Sequence, residues 1–371
     1  VPAIARIIEG WSGKAWASLS LADGNPDDRG EMQVRAEGLP KRMRTKAWPL
    51  ARRLRWPAAM AALCLCAALA PSAAPAQDAP APRQSLDDAW WTGPMLANSA
   101  ATLPQGHFLV EPYLYDVSSH GVDGYGSLTY MLYGVTDRLT VGLVPVFGYN
   151  RVDGGPDSRG IGAGDLSVQA QYRLHQFREG SWLPTVSLQL QETLPTGKYD
   201  RLGRRPADGM GGGAHATTLQ LNTQTYFWLP SGRILRMRFN VAQTWSRHAD
   251  VRGVSVYGTP EGFRGRARPG DSFYANAAWE YSLTRRWVLA LDLAWRRNAS
   301  TRVDGVLSDP DAAMPPRTLR ARSGRSDAYS IAPAVEYNFS ANLGVLFGTR
   351  VITGHRAPTT ITPAVALNYV H

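Results

Sequence analysis

Arg236 and Arg238 stand two residues apart where apolar and polar side chains alternate. Leu235, Met237, Phe239, Val241 and Trp245 alternate there with Arg236, Arg238, Asn240, Ala242 and Thr244. In an extended strand that period puts both guanidinium groups on one face. Read the same way, later segments turn Glu280, Asp292, Arg296 and Glu336 to that face, and earlier ones turn Glu111 and Arg173. On the inner wall of a closed sheet, charges of both signs would line a polar path and set a constriction that selects solutes. Arginine pairs with carboxylates and its flat guanidinium stacks on aromatic rings, so an aromatic acid is a sensible ligand. The equal alternative is an interior filled by satisfied salt bridges that only stabilise the sheet.

Other chemistries find less support. The seven histidines are scattered singly, with no i, i+4 pair, so neither a metal nor another cofactor is expected. Gly209–Ala214 is glycine-rich but lacks the Lys-Ser/Thr and the strand–helix frame of a phosphate loop, and reads as a flexible outer loop. Ser246 lies near His248, yet no third group orients them, which argues against a lipid hydrolase. Nucleic-acid binding has only net charge in its favour.

The elements that must position these residues are strands. Five segments alternate with period two, among them Val186, Leu188 and Leu190 against Ser187, Gln189 and Gln191, and Leu289, Leu291 and Leu293 against Ala290, Asp292 and Ala294. Twelve strands are predicted, at 107–118, 124–135, 138–150, 161–175, 182–195, 215–229, 233–247, 270–284, 286–298, 326–340, 342–354 and 359–371. Most exceed the globular norm of roughly 5–6 residues and suit a tilted bilayer crossing of about 9–11. Aromatic residues such as Trp182, Phe227, Trp245, Trp287, Trp295, Phe339 and Tyr369 fall near strand ends on the apolar face. Tight connections alternate with long ones at 151–160, 196–214, 248–269 and 299–325. This is the pattern of an all-β, antiparallel, up-and-down transmembrane barrel of about twelve strands in the outer membrane. Lipid offers no hydrogen bonds to a bare sheet edge, so the sheet must close. The last strand, with Ile361, Pro363, Val365, Leu367 and Tyr369 on one face, is what barrel assembly machinery would read, although the terminal residue is His371 rather than Phe or Trp.

The chain has 371 residues and a formal charge of +10, but its first fifth reads as a separate region. Basic residues from Lys41 to Arg55 precede an apolar run, Ala58 to Ala70, and then Ala74-Pro75-Ala76. That is a secretory signal over 43–76, exported by the general secretory route, with cleavage after Ala76. Residues 1–42 lie oddly ahead of it, and a start at Met43 would leave them untranslated. Cys64 and Cys66 both fall in the apolar run, so the chain from Gln77 on has no cysteine. Residues 77–106 form either a Pro/Ala-rich periplasmic leader or a small plug ordered at Trp90-Trp91, and 107–371 form the barrel. Lys198 is the only lysine from Gln77 on, and many arginines lie in the long loops, among them Arg264, Arg266, Arg268, Arg320 and Arg322. Lipopolysaccharide phosphates are candidate partners for them, with a merely solvated loop as the alternative.

Several short motifs resemble a known family. Gly162-Ala163-Gly164-Asp165-Leu166 leads into Gln171-Tyr172-Arg173-Leu174, and Leu194-Pro195-Thr196-Gly197-Lys198 ends the next strand. Trp90-Trp91-Thr92-Gly93-Pro94, then Ala100, Thr102-Leu103-Pro104 and Gly106-His107, precede the first strand. Together they resemble the outer-membrane "transporter" proteins named for the MetA pathway of phenol degradation, over most of residues 88–371. The resemblance implies a barrel passing small, aromatic or hydrophobic solutes and names no particular solute. A structural or surface-interaction barrel without transport remains the second reading.

Overall fold

The computed structural model describes residues 82–308 and 315–371. The export signal, its cleavage site and the extension at 1–42 lie outside the described residues. Among the described residues a 3-10 turn, Leu86–Asp88, precedes the first strand. The strands follow as β1 (Phe108–Ser119), β2 (Val122–Thr136), β3 (Leu139–Val144), β4 (Val146–Val152), β5 (Gly162–Ala163), β6 (Leu166–His175), β7 (Thr185–Leu194), β8 (Ala216–Trp228) and β9 (Ile234–Ser246). Next come β10 (Ala249–Arg252), β11 (Phe263–Arg268), β12 (Ser272–Ser282), β13 (Trp287–Asn298), β14 (Arg302–Leu307), β15 (Arg317–Arg322), β16 (Ser326–Asn338), β17 (Leu343–His355) and β18 (Ala357–Val370).

Fourteen of these make one antiparallel sheet, which closes where β1 pairs with both β2 and β18. Two barrel strands are each split in two, so the wall has twelve staves. Pro145, which has no N–H to give, separates β3 from β4. Gly164-Asp165 separates β5 from β6. The expected third and fourth strands are therefore each interrupted, and the fifth begins at Thr185 rather than 182, since Pro184 ends the preceding turn. At the seam, the Phe108 and His371 main chains exchange hydrogen bonds of 3.2 and 2.9 Å.

Three short turns share one device. The hydroxyls of Thr136, Thr284 and Ser340 each accept from the backbone N–H groups two and three residues on, at 3.0–3.2 Å. A side chain thus mimics the carbonyl of a turn and ties the hairpin at one end of the barrel. By the short-turn rule this end is periplasmic.

The alternation sorts the side chains as the sequence implies. Leu188, Leu190, Leu219, Leu221, Phe239, Leu293, Ile331, Phe347 and Leu367 are exposed on the outer wall. So large an apolar belt suits lipid and would be a liability in water. Inside, polar residues are buried in rows, including Ser187, Gln189, Asn222, Asn240, Asn276 and Glu280.

The long connections differ from the expected open loops. β10, β11, β14 and β15 form a separate four-stranded sheet beyond the barrel rim. Its odd-numbered face buries Ala249, Val251, Phe263, Ala267 and Val303 with Tyr257 and Ala214. These strands alternate arginine with small apolar residues, a pattern whose charge hides its period. Gly209–Ala214 is likewise folded in rather than loose, with Met210, Gly211 and Gly212 buried. Gly197 and Gly212 each donate a backbone N–H to the Asp165 carboxylate at 2.9 Å. A Cβ on Gly211 would lie 2.6 Å from Asp165 Oδ1, so the glycines serve close packing here.

Candidate functional site

The lumen holds a segment of the chain itself. From Trp90 to Thr102 the main chain has no regular secondary structure, and the inner wall takes up its polar groups. Trp90 donates its backbone N–H to Arg285 O in a short turn at 3.1 Å. Further in, Glu336 Oε2 accepts from Thr92 N at 2.7 Å and Gly93 N at 3.1 Å. Asp292 accepts from Leu96 N at 3.2 Å and Ala97 N at 3.0 Å. Asn240 Nδ2 donates to Asn98 O at 3.1 Å, and Gln171 Nε2 donates to Ser99 O at 3.0 Å. The segment then returns to the same end, where Thr102 Oγ1 donates to Asp137 O at 2.6 Å. It enters and leaves through the short-turn mouth and reaches about half-way up the wall.

Five of the eight sequence-predicted charges meet around this segment. Glu280 is fully buried and is gripped by Arg236, whose Nε donates to Oε2 at 2.7 Å while its Nη2 donates to Oε1. Arg238 Nε lies 3.1 Å from Glu280 Oε2 without hydrogen-bond alignment, so that contact is ionic. Its Nη1 donates instead to Ala97 O at 2.8 Å. The Arg236 guanidinium also lies over the Trp91 ring, 4.3 Å from its centre, the spacing of a cation–π pair. The two arginines thus join a wall carboxylate to the segment, and Asp292 and Glu336 hold the segment's N–H groups on either side.

Of the other three predicted residues, Glu111 lines the cavity beside the segment and two stand apart. Glu111 faces inward and accepts from Asn368 Nδ2 at 3.1 Å, across the β1–β18 seam. Arg296 is buried over the Tyr274 ring at 4.7 Å, above the segment. Arg173 is half-buried near the short-turn end of β6, and no contact of its side chain with the cluster is seen. Identical facing does not place a residue at an identical depth, which explains the difference.

Sequence reasoning missed the wall residues that make room. Gly344 and Gly348 lie four apart on β17, facing inward. A Cβ on Gly344 would run into Thr92 Oγ1, and one on Gly348 into Met95 Sδ. Two inward glycines at one strand spacing are the signal that could have revealed a buried chain beside them. Arg83 and Gln84, in the stretch read as either a leader or a small plug, are also fastened. Arg83 lies 3.9 Å from the Trp228 ring centre and pairs with Glu179 at 2.9 Å, and Gln84 O accepts from Trp228 Nε1 at 2.8 Å.

Beside the segment lies a cavity of about 240 Å³, walled partly by Leu109, Tyr113, Tyr130, Leu132 and Arg238. Its lining is half aromatic or aliphatic and half polar. Ser246 also faces the interior, buried in line with Thr244, and so is not on the lipid face. Among the described residues no group of three or more His, Cys, Asp or Glu could hold a metal ion.

A closed twelve-strand wall with an apolar belt outside and a polar lumen inside defines a transmembrane barrel of the outer-membrane class. The chain belongs to the family described as "Putative MetA-pathway of phenol degradation", whose model matches residues 97–361. Among solved structures it is similar to the COG4313 outer membrane channel from Pseudomonas putida F1. That match has TM-score 0.55 and 16% identity, and covers 73% of this chain and 98% of that one. It also matches the Pseudomonas putida toluene transporter TodX at TM-score 0.36 and 13% identity, over 74% of this chain and 91% of that one. No curated protein matches the sequence.

Proposed function

We propose that the protein is an outer-membrane channel for small aromatic or hydrophobic solutes, gated by its own residues 90–102. The observation that carries this reading is the set of hydrogen bonds that the main chain of that segment donates to Glu336 and Asp292 and accepts from Asn240 and Arg238. Of these, the bond from Arg238 to Ala97 O is the one an anionic ligand can replace. An aromatic carboxylate would pair with Arg238 in place of Ala97 O, and its ring would meet the tyrosines and leucines of the adjoining cavity. The segment would then lose its grip where the solute gains one. The family description, with its link to phenol degradation, and the channel named among its structural neighbours agree with this reading.

The same reading supplies the partners. Lipid surrounds the exposed apolar belt, and the assembly machinery reads β18, whose outward residues run Ile361, Pro363, Val365, Leu367 and Tyr369. A barrel without transport would carry the same belt, so the test must concern the lumen.

Leu96 packs against the wall cluster of Ala242, Tyr274 and Ala294, and the chain from Gln77 on has no cysteine to interfere. A Leu96→Cys, Ala294→Cys variant in planar bilayers should conduct less when oxidised, and reduction should restore its current. Benzoate should block the reduced form in a concentration-dependent manner. Equal conductance in both redox states, with the crosslink verified by mass, would sink the gating reading.

A further inference from the structure

The four-stranded sheet beyond the rim continues the barrel wall. Its order, β10-β11-β14-β15, repeats that of β9-β12-β13-β16, the staves from which its strands emerge. Its odd face is buried toward Ala214 and Tyr257, and Tyr257 donates to Gly212 O beside the lumen-facing Asp165. The even face is therefore the outward one, in line with the lipid-facing wall below it.

Register sets that face in rows. The middle row runs Asp250, Arg266, Asp304, Arg320 across the four strands. Its signs alternate, and it neutralises itself through Arg266–Asp250 at 3.1 Å and Arg320–Asp304 at 3.7 Å. The row nearest the membrane differs. Arg268, Arg302 and Arg322 stand directly opposite one another on three adjacent strands. All three are exposed, and no carboxylate pairs with them among the described residues. His248 borders the same shallow groove of about 480 Å³, together with Arg266, Arg268, Arg302 and Asp304, whose carboxylate is paired with Arg320. Like charges placed directly across strands repel. A protein that neutralises one row and leaves its neighbour wholly cationic has left a site for an external anion.

We propose that Arg268, Arg302 and Arg322 bind the phosphate groups of the phosphorylated glycolipid in the outer leaflet. Position favours this occupant over a soluble anion. Arg268 lies four residues before β12 begins, and Arg302 and Arg322 lie four residues beyond β13 and before β16. Just below them on the outer wall are Trp295, Arg297 and Tyr329. That is the headgroup level, where aromatic girdles end and lipid phosphates begin. Guanidinium forks match phosphate oxygens in pairs, and three in a row span more than one phosphate. The proposal rests on the outward orientation of the long loops and not on transport.

The test uses the full barrel in detergent freed of native lipid. Titration with bisphosphorylated lipid A should show saturable binding, weakened at least about ten-fold in Arg268→Gln, Arg302→Gln, Arg322→Gln. An Arg252→Gln, Arg264→Gln variant, altered at the far edge of the same face, should bind as the parent does. Fully dephosphorylated lipid A should bind no better to the parent than to the triple variant. Inorganic phosphate at matched concentration should not compete. Without lipid, the triple variant should melt no lower than the parent, since its repulsion is gone; with lipid A, only the parent should gain. Equal binding by parent and triple variant would overturn the proposal, as would competition by inorganic phosphate. Arg302→Gln alone, the central member, repeats the comparison should the triple variant assemble poorly. Channel conductance is unaffected by either result.

Discussion

Ala97 donates its backbone N–H to the carboxylate of Asp292, 195 positions along the chain, at 3.0 Å. The Asp292 side chain is fully buried, and the neighbouring N–H of Leu96 reaches its other oxygen. Asn276 Nδ2 adds a third donor. A hydrogen bond of this kind contributes about 1 kcal/mol net, and a buried group left without its partner costs about 1–3 kcal/mol. Asp292→Asn keeps the shape but turns one acceptor into a donor that faces an N–H. The expected outcome is a barrel that still folds, with residues 90–102 held less firmly. Single-channel recording should show longer open times than the parent. Unchanged gating would mean that the wall charges do not fasten the segment.

A second expectation concerns the space beside the segment. Gly344→Ala and Gly348→Ala would each place a methyl group where Thr92 and Met95 now sit. Overpacking a filled site costs about 1–3 kcal/mol. The wall is a continuous hydrogen-bonded ladder, so the segment should yield first. Protease added from the short-turn side should then cut the double variant within residues 90–102 at least several-fold faster, with the barrel intact on gels.

The lipid face gives the third. Leu291 lies mid-strand on β13, opposite Trp279 and Pro333 and one residue from Asp292. Leu291→Arg should cost about 2–4 kcal/mol near the bilayer midplane, read as a lower unfolding midpoint in lipid vesicles. A variant as stable as the parent would place this part of β13 nearer a headgroup region than its register implies.

Much of this architecture could be read from residue types. The period of two around Arg236 and Arg238 set which side chains face in, and the lengths of the turns set which end is which. Glu280, Asp292 and Glu336 could be assigned to the lumen because each alternates with leucine, tryptophan or tyrosine on a long strand. Their depth could not be read, because facing is a local property while depth depends on stagger around the whole barrel. That is why Arg173 and Arg296 share a wall with the cluster but stand away from it. The outer sheet escaped notice for another reason. Arg264-Gly265-Arg266-Ala267-Arg268 does alternate, but its buried partners are small, and its hydrophobic signal is faint. The path of residues 90–102 has no periodicity at all, since its hydrogen bonds go to distant side chains rather than to a neighbouring strand.

The segment's two ends lie at the same mouth, Trp90 at Arg285 and Thr102 at Asp137. Topologically it is a loop pushed into a tube, not a thread drawn through it. No free terminus has to cross the lumen for it to enter or withdraw. The β1–β18 seam can therefore close on an empty barrel, and the segment can follow as a separate, later event. Biogenesis can then take two separate steps, and mutations that loosen the second need leave no mark on the first. In a refolding experiment the two would register as distinct phases, wall closure followed by quenching or shift of the Trp90 and Trp91 fluorescence as these rings meet Arg285 and Arg236.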